Sequence, residues 1–197
     1  VVCKLHGKHM SMVFQEPGSS LNPVLRIGDQ IAHPLRRHLG LSRSQAWTRA
    51  EELLHEVGIP CPGKRLHSYP HELSGGQQQR VMIAMAISCG PQIVIADEPT
   101  SALDVTVQRQ ILNLFYRLQQ SHALAMLFIT HDFGIVSEMA DKVIVFDRGT
   151  IQEQGEKGKV LGSPENAYTK ALIASRARLN GFSNVSKYDK AAIRSSA

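Results

Sequence analysis

Ala46, Ala50, Leu53, Leu54 and Val57 recur at three- and four-residue intervals behind Ser42 and Gln45, whose spacing is that of a capping box. The pattern predicts an amphipathic helix over 42–57 that Gly58 stops. Ahead of it, Pro17, Pro23 and Pro34 interrupt the run PGSSLNPVLRIGDQIAHPLRR, which leaves room for a short helix near 27–32 and excludes sheet. Pro60, Pro62 and Pro70, with Gly63 between them, exclude long regular structure over 60–70. Residues 18–73 therefore read as a small helical subdomain.

The period changes after residue 73. Positions 77–89 are apolar nearly all round, as in a buried helix, and 92–97 is a short apolar run of the kind an interior parallel strand shows. Val107, Ile111, Leu114, Phe115 and Leu118 predict a second helix. A strand over 125–130, a short helix over 133–140 and a strand over 142–147 follow. This alternation predicts right-handed crossovers and an α/β fold whose parallel sheet is covered on both faces. Arg148-Gly149 turns the chain into one more strand over 150–155, and 164–175 is the last predicted helix. Near the start, Met12 to Phe14 is a strand-like run that delivers Gln15.

At 197 residues and 43% hydrophobic content the chain suits one core of ordinary domain size with a small subdomain attached. The longest apolar run, 81–88, falls well short of the roughly 20 residues a spanning helix needs, and a signal-peptide layout is absent. Cys3, Cys61 and Cys89 match neither a metal spacing nor a disulfide framework, which suits a reducing compartment. Most of the formal charge of +5 sits at the C-terminus, where Arg176, Arg178, Lys187, Lys190 and Arg194 face Asp189 alone. With a nearly neutral body and 6% aromatics, nucleic acid is not an expected partner, and the tail reads as solvated. The chain begins Val-Val without an initiator Met, so a fragment is expected.

Asp97 and Glu98 stand at the end of the strand over 92–97. Ligands of an open parallel sheet bind beyond the carboxyl ends of its strands, and adjacent carboxylates repel unless a cation lies beside them. Mg²⁺, held by few protein oxygens and completed by water and phosphate, meets both conditions. Asp97 would then orient the metal's water shell and Glu98 would polarise an attacking water. The same pair can also do no more than cap the strand and start a turn. The segment LSGGQQQR at 73–80 sets Ser74, Gly75 and Gly76 at the start of the buried helix. Backbone N–H groups, a hydroxyl and the positive end of the helix dipole make an anion cradle there. A plain cap with a flexible entry is the alternative.

In order along the chain, Gln15, LSGGQ at 73–77, the Asp97–Glu98 pair, SALD at 101–104 and His131 in LFITHD make the sequence resemble the nucleotide-binding domain of an ATP-binding-cassette (ABC) transporter. The resemblance runs over about residues 10–175. Gln15 matches the Q-loop, 73–77 the signature, Asp97 and Glu98 the Walker B acids, 101–104 the D-loop and His131 the switch histidine. It implies a P-loop NTPase (RecA-like) parallel sheet with an inserted helical subdomain. The implied division is 1–17 up to the Q-loop, 18–73 helical, 74–162 core, and 163–197 closing helix and basic tail.

ATP and Mg²⁺ are the implied cofactors, with two cassettes facing head to tail and each ATP held between the phosphate loop of one and the signature of the other. Ser74, Gly75, Gly76 and Gln77 would serve the nucleotide of the partner, and Glu98 would be the general base or water-orienting group. His131 would reach the γ-phosphate, Gln15 would touch Mg²⁺ beside Asp97 and link to a membrane subunit, and Asp104 would join the contact between cassettes. The implied partners are a second ATPase subunit, transmembrane permease subunits and, indirectly, a solute-binding protein. The implied location is the cytoplasmic face of the inner membrane.

The phosphate loop G-x-x-x-x-G-K-[ST] should precede Gln15, and the fourteen residues there do not contain it. GIPCPGKR at 58–65 brings Gly58, Gly63 and Lys64 into register, yet Arg65 stands where a Ser or Thr should ligate Mg²⁺. Two prolines interrupt it, so it reads as a loop. The expectation is a cassette lacking its first strand, phosphate loop and helix, able to lend its signature to an intact partner but a weak ATP binder alone. NPVL at 22–25 and YTKAL at 168–172 are similar to the oligopeptide and dipeptide importer branch, features shared with nickel and glutathione importers. A non-transport ABC ATPase, which would show long insertions or a second cassette, and an inactive remnant are the other readings. The pairs His6/His9 and His67/His71 read as ordinary surface histidines, and Met82 and Met85 as core filler.

Overall fold

The computed structural model describes residues 7–180, with side chains described as far as Ser175. Cys3, His6 and the tail from residue 181 lie outside the described residues. The chain divides into two compact units between Ile129 and Thr130.

The first unit begins with β1 (Met10–Val13), α1 (Pro17–Ser20), α2 (Ile27–Leu39) and α3 (Arg43–Glu56). It continues through α4 (Pro62–Arg65), a 3-10 turn (Pro70–Glu72), α5 (Gly75–Ile87), β2 (Ile93–Asp97), α6 (Val105–His122) and β3 (Ala125–Ile129). The capping box ahead of α3 forms as its spacing predicts: Gln45 N–H donates to Ser42 Oγ at 3.3 Å and Ser42 N–H to Gln45 Oε1 at 3.0 Å. Ala46, Ala50, Leu53 and Leu54 are fully buried on the inner face of α3.

The helix expected near 27–32 runs on to Leu39 with Pro34 inside it, ending at Gly40 with φ +68°. An interior proline costs about 3 kcal/mol. Ile27, Ile31 and Leu35, one turn apart and fully buried, outweigh it at about 1.5–3 kcal/mol each. GIPCPGKR, expected to be a loop, is a turn and bend over 58–61 followed by the single helical turn of α4, on which Lys64 is exposed; no strand leads into it. In α5, Val81, Met82, Ile83, Ala84, Ala86 and Ile87 are all buried, so this helix is enclosed on nearly every side.

The sheet of this unit is parallel, in the order β1-β2-β3, with Val13 opposite Ala96 and Asp97 opposite Ile129. One face carries the buried Ser11, Val13, Val94 and Ala96, and there Phe128 meets Phe115 of α6 edge-on at 5.2 Å. The other face leaves Ile93, Leu127 and Ile129 exposed at 42%, 48% and 47%. The expectation of a sheet covered on both faces is thus corrected. Both long helices of the segment, α5 and α6, pack toward the first face.

The second unit holds α7 (Phe133–Met139), β4 (Lys142–Asp147), β5 (Thr150–Glu156), α8 (Lys157–Gly162) and α9 (Ala167–Asn180). The alternation along the sequence predicted β4 as a further parallel strand, and instead it pairs antiparallel with β5 in a separate two-stranded sheet. The reason is local. Arg148 at φ +47° and Gly149 at φ +77° form the two-residue turn with both φ values positive that suits a tight hairpin, so one edge of β4 pairs with the next strand. Glu153 on β5 accepts the backbone N–H of Glu165 at 2.9 Å and of Asn166 at 3.2 Å ahead of α9. The Glu165 N–H foremost, these bonds hold its carboxyl below the usual glutamate range.

Candidate functional site

Because the parallel strands end in register, Gln15, two residues past β1, and Asp97, the last residue of β2, lie at the carboxyl edge of one sheet. Gln15 is exposed and Asp97 half-buried. Glu98 follows with φ +44°, a left-handed backbone that costs a non-glycine residue about 1–3 kcal/mol. It is held on both sides. Its N–H donates to Ile129 O at 2.9 Å, and its carbonyl accepts Ser101 N–H at 3.2 Å and Ser101 Oγ–H at 3.1 Å. Backbone strain maintained by surrounding bonds is common where a side chain must be aimed.

The D-loop match runs from this turn into α6. Asp104 is the N-cap, its Oδ1 accepting Val107 N–H at 3.0 Å while the residue stays exposed. On α5, Ser74 and Gln77 form a reciprocal capping box, Gln77 N–H to Ser74 Oγ at 3.4 Å and Ser74 N–H to Gln77 Oε1 at 3.1 Å. The N–H groups of Gly75 and Gly76 come ahead of the intrahelical ladder, at the positive end of a 13-residue helix. A Cβ on Gly75 would meet nothing within 4 Å, so an anion can approach its backbone. A Cβ on Gly76 would stand 2.7 Å from Val107 Cγ1, so that glycine serves packing against α6 as well.

His131 belongs to the second unit, exposed just past the end of β3. Beside it, Asp132 N–H donates to Thr130 Oγ1 at 3.1 Å, and Asp132 Oδ1 accepts Gly134 N–H at 2.7 Å as the cap of α7.

Among the described residues no three His, Cys, Asp or Glu side chains cluster as a metal site. The donors present, one half-buried carboxylate and one exposed amide oxygen at a strand edge, fit Mg²⁺, which keeps several waters and takes phosphate oxygens. They would not fit a metal that needs a full protein cage. The histidines at 67 and 71 pack on aromatic rings, His67 on Trp47 at 5.4 Å and His71 stacked on Tyr69 at 5.8 Å.

Sequence reasoning passed over two polar residues of LSGGQQQR. Gln79, 1% exposed, donates through Nε2 to Pro99 O at 2.7 Å. Arg80 donates through Nη1 to Val57 O at 2.6 Å and through Nη2 to Gln110 Oε1 at 3.2 Å, and burial and then Arg117 lower the pKa of its guanidinium. A signal for Gln79 existed: it lies one turn before Ile83 and two before Ile87, in line with the buried face.

A family model described as "ABC transporter" matches residues 2–101, just over half of the chain. The chain belongs to the ABC transporter family. A putative peptide import ATP-binding protein of Brucella melitensis biotype 1 is 52% identical over 176 residues, covering 89% of this chain and 52% of its own length. The glutathione import ATP-binding protein GsiA of Escherichia coli K12 is 48% identical over 178 residues, covering 90% of this chain and 29% of its own length. The chain thus spans about half the length, or less, of these curated relatives.

Among solved structures, a dimeric ATP-binding cassette in a post-hydrolysis state bound to ADP and Pi superposes with a TM-score of 0.68 at 28% identity, over 79% of this chain and 66% of that one. CbiO1 of Clostridium perfringens, part of an ABC transporter complex, shares the fold with a TM-score of 0.67 at 24% identity, over 91% of this chain and 65% of that one. This chain therefore shares the fold of ABC ATPase cassettes over about two thirds of their length. Among the described residues no helix is long and apolar enough to cross a membrane.

Proposed function

We propose that this chain is the ATP-binding part of an ABC importer for peptides, working against a second ATPase subunit and permease subunits at the cytoplasmic face of the membrane. One observation carries the reading. A single unit holds an open anion cradle at Ser74–Gly76 and a strained, bond-held Glu98 next to Asp97 at the carboxyl edge of a parallel sheet. The peptide assignment is supported by the 52% identity to a relative named for peptide import and by the NPVL and YTKAL segments.

Asp97 and Gln15 would hold Mg²⁺ through hard oxygen donors. Bound Mg-ATP supplies a γ-phosphoryl group whose in-line transfer to water is governed by positioning and charge neutralisation. Glu98 orients the water and accepts its proton, which the fixed backbone on both sides of it favours. The Gly75 and Gly76 N–H groups and Ser74 donate to a nucleotide held by the partner, and His131 supplies a polar contact to the reacting end. Asp104, capping α6, holds the D-loop for contact between cassettes. The division into segments 1–17, 18–73, 74–162 and 163–197 belongs to this reading.

A second reading is a binding lobe that lends its signature to a partner without turning over nucleotide itself. Mixing tests the cradle that both readings share, and single-turnover hydrolysis separates them. Added to an intact peptide-import cassette, the chain raises retention of Mg-ATP, and Ser74→Arg in the chain abolishes that gain. Retention that ignores both the chain and the substitution contradicts the proposal.

A further inference from the structure

We infer that Gln79 is a positioning residue that ties the signature helix to the turn carrying Glu98, an inference that rests on the assignment of Glu98 above. Gln79 lies one helical turn past the signature glycines on α5 and is 1% exposed. Its Nε2 donates to the carbonyl of Pro99, the residue next to Glu98, at 2.7 Å across twenty positions of sequence. Its Oε1 is buried and has no hydrogen-bond partner among the described residues.

That combination is unfavourable for packing alone. Ile83 and Ile87 occupy the same face one and two turns on, and an apolar side chain at 79 would fill the space without a stranded acceptor. What an apolar residue cannot supply is the donor to Pro99 O. The Pro99 carbonyl belongs to the Pro99–Thr100 peptide, the second after the left-handed Glu98, which is itself held by its N–H to Ile129 O and by its carbonyl accepting from Ser101. Gln79 is therefore the anchor that fixes this turn from the signature side. Gly76 against Val107 closes the same junction from the other end of the loop.

The consequence is a link between two nucleotides. Ser74–Gly76 face the nucleotide of a partner, Glu98 acts on the chain's own, and Gln79 joins the two within one helix turn. Displacement of the start of α5 by the partner's nucleotide is passed to the turn that carries Glu98, at the Pro99–Thr100 peptide, through one hydrogen bond.

The test is amide hydrogen exchange on the full chain with Gln79→Met, which keeps the side-chain length, and Gln79→Leu, which keeps the branching; neither side chain can donate to Pro99 O. The expected result in both variants is at least about tenfold faster exchange at Ser101 and Leu103, whose N–H groups bond to Glu98 O and Thr100 O. Exchange at Ile83 and Ile111 in the helix interiors stays within about twofold. Unchanged exchange at Ser101 and Leu103, or a rise shared equally by Ile83 and Ile111, overturns the inference. In the assembled ATPase, Gln79→Met lowers kcat about tenfold with KM for ATP within about twofold, and a loss confined to KM overturns it. If the unsubstituted assembly hydrolyses no ATP, the functional reading above fails, while the exchange result still decides whether Gln79 fixes the turn.

Discussion

Gly76 and Val107 approach so closely that a Cβ on the glycine would stand 2.7 Å from the valine Cγ1, whereas a Cβ on its neighbour Gly75 would meet nothing within 4 Å. Two adjacent glycines of one motif thus differ in what they do. Gly76→Ala overpacks the contact between α5 and α6 and lowers stability by about 1–3 kcal/mol, read as a fall in the urea midpoint. Gly75→Ala leaves the midpoint unchanged or raises it slightly, since the site is open and alanine restricts the unfolded chain. It should nonetheless weaken nucleotide retention in the assembled dimer, because the new methyl stands where an anion must approach. Equal midpoints for the two variants would show that the Val107 contact is not a constraint.

The capping box of α3 gives a prediction independent of function. Ser42→Ala removes the acceptor for Gln45 N–H and costs about 0.5–2 kcal/mol, with the urea m-value unchanged. Gln45→Ala should cost less, because it frees only the exposed N–H of Ser42 to water. A midpoint unmoved by Ser42→Ala would mean that the helix is set wholly by the burial of Ala46, Ala50, Leu53 and Leu54.

What could be read from the sequence was what is decided locally. The helix at α3 announced itself through its cap and its apolar stripe, α5 through continuous apolarity, and the β4–β5 turn through Arg148-Gly149. The motif residues could be read because their spacing is short and ordered. Three features needed the folded chain. The extension of α2 through Pro34 depends on the burial of Leu35, the pairing of β4 with β5 rather than in the parallel sheet is a choice of partner, and the open face bearing Leu127 and Ile129 shows only once the helices have a side. In the candidate site, Asp97, Glu98 and Ser74 stood out by residue type and spacing. Gln79 was hidden among three consecutive glutamines, where only burial separates it from Gln77 and Gln78.

Acid should loosen the second unit through Glu153. Its carboxyl lies below the ordinary glutamate value because the charged form accepts the Glu165 N–H and, beside it, the Asn166 N–H. A group with a lowered folded pKa contributes stability that is complete above its unfolded value, about 4.3, and lost as pH falls through the folded value. Protection of the Glu165 and Asn166 amides should therefore decline below about pH 4 in the unsubstituted chain. In Glu153→Gln the protection should be lower at neutral pH and flat with acid. A decline in both proteins alike would place the sensitive group elsewhere.

The proposed function requires Glu98 to act on water beside a nucleotide cradle that a second subunit would complete. Its most direct measurement is single-turnover ATP hydrolysis by the assembled ATPase carrying Glu98→Gln in this chain, with bound nucleotide identified after quench. The predicted result is hydrolysis slowed about 10²–10⁴-fold at this chain's site with unreacted ATP retained there. Hydrolysis at the unsubstituted rate, with ADP as the bound species, would contradict it.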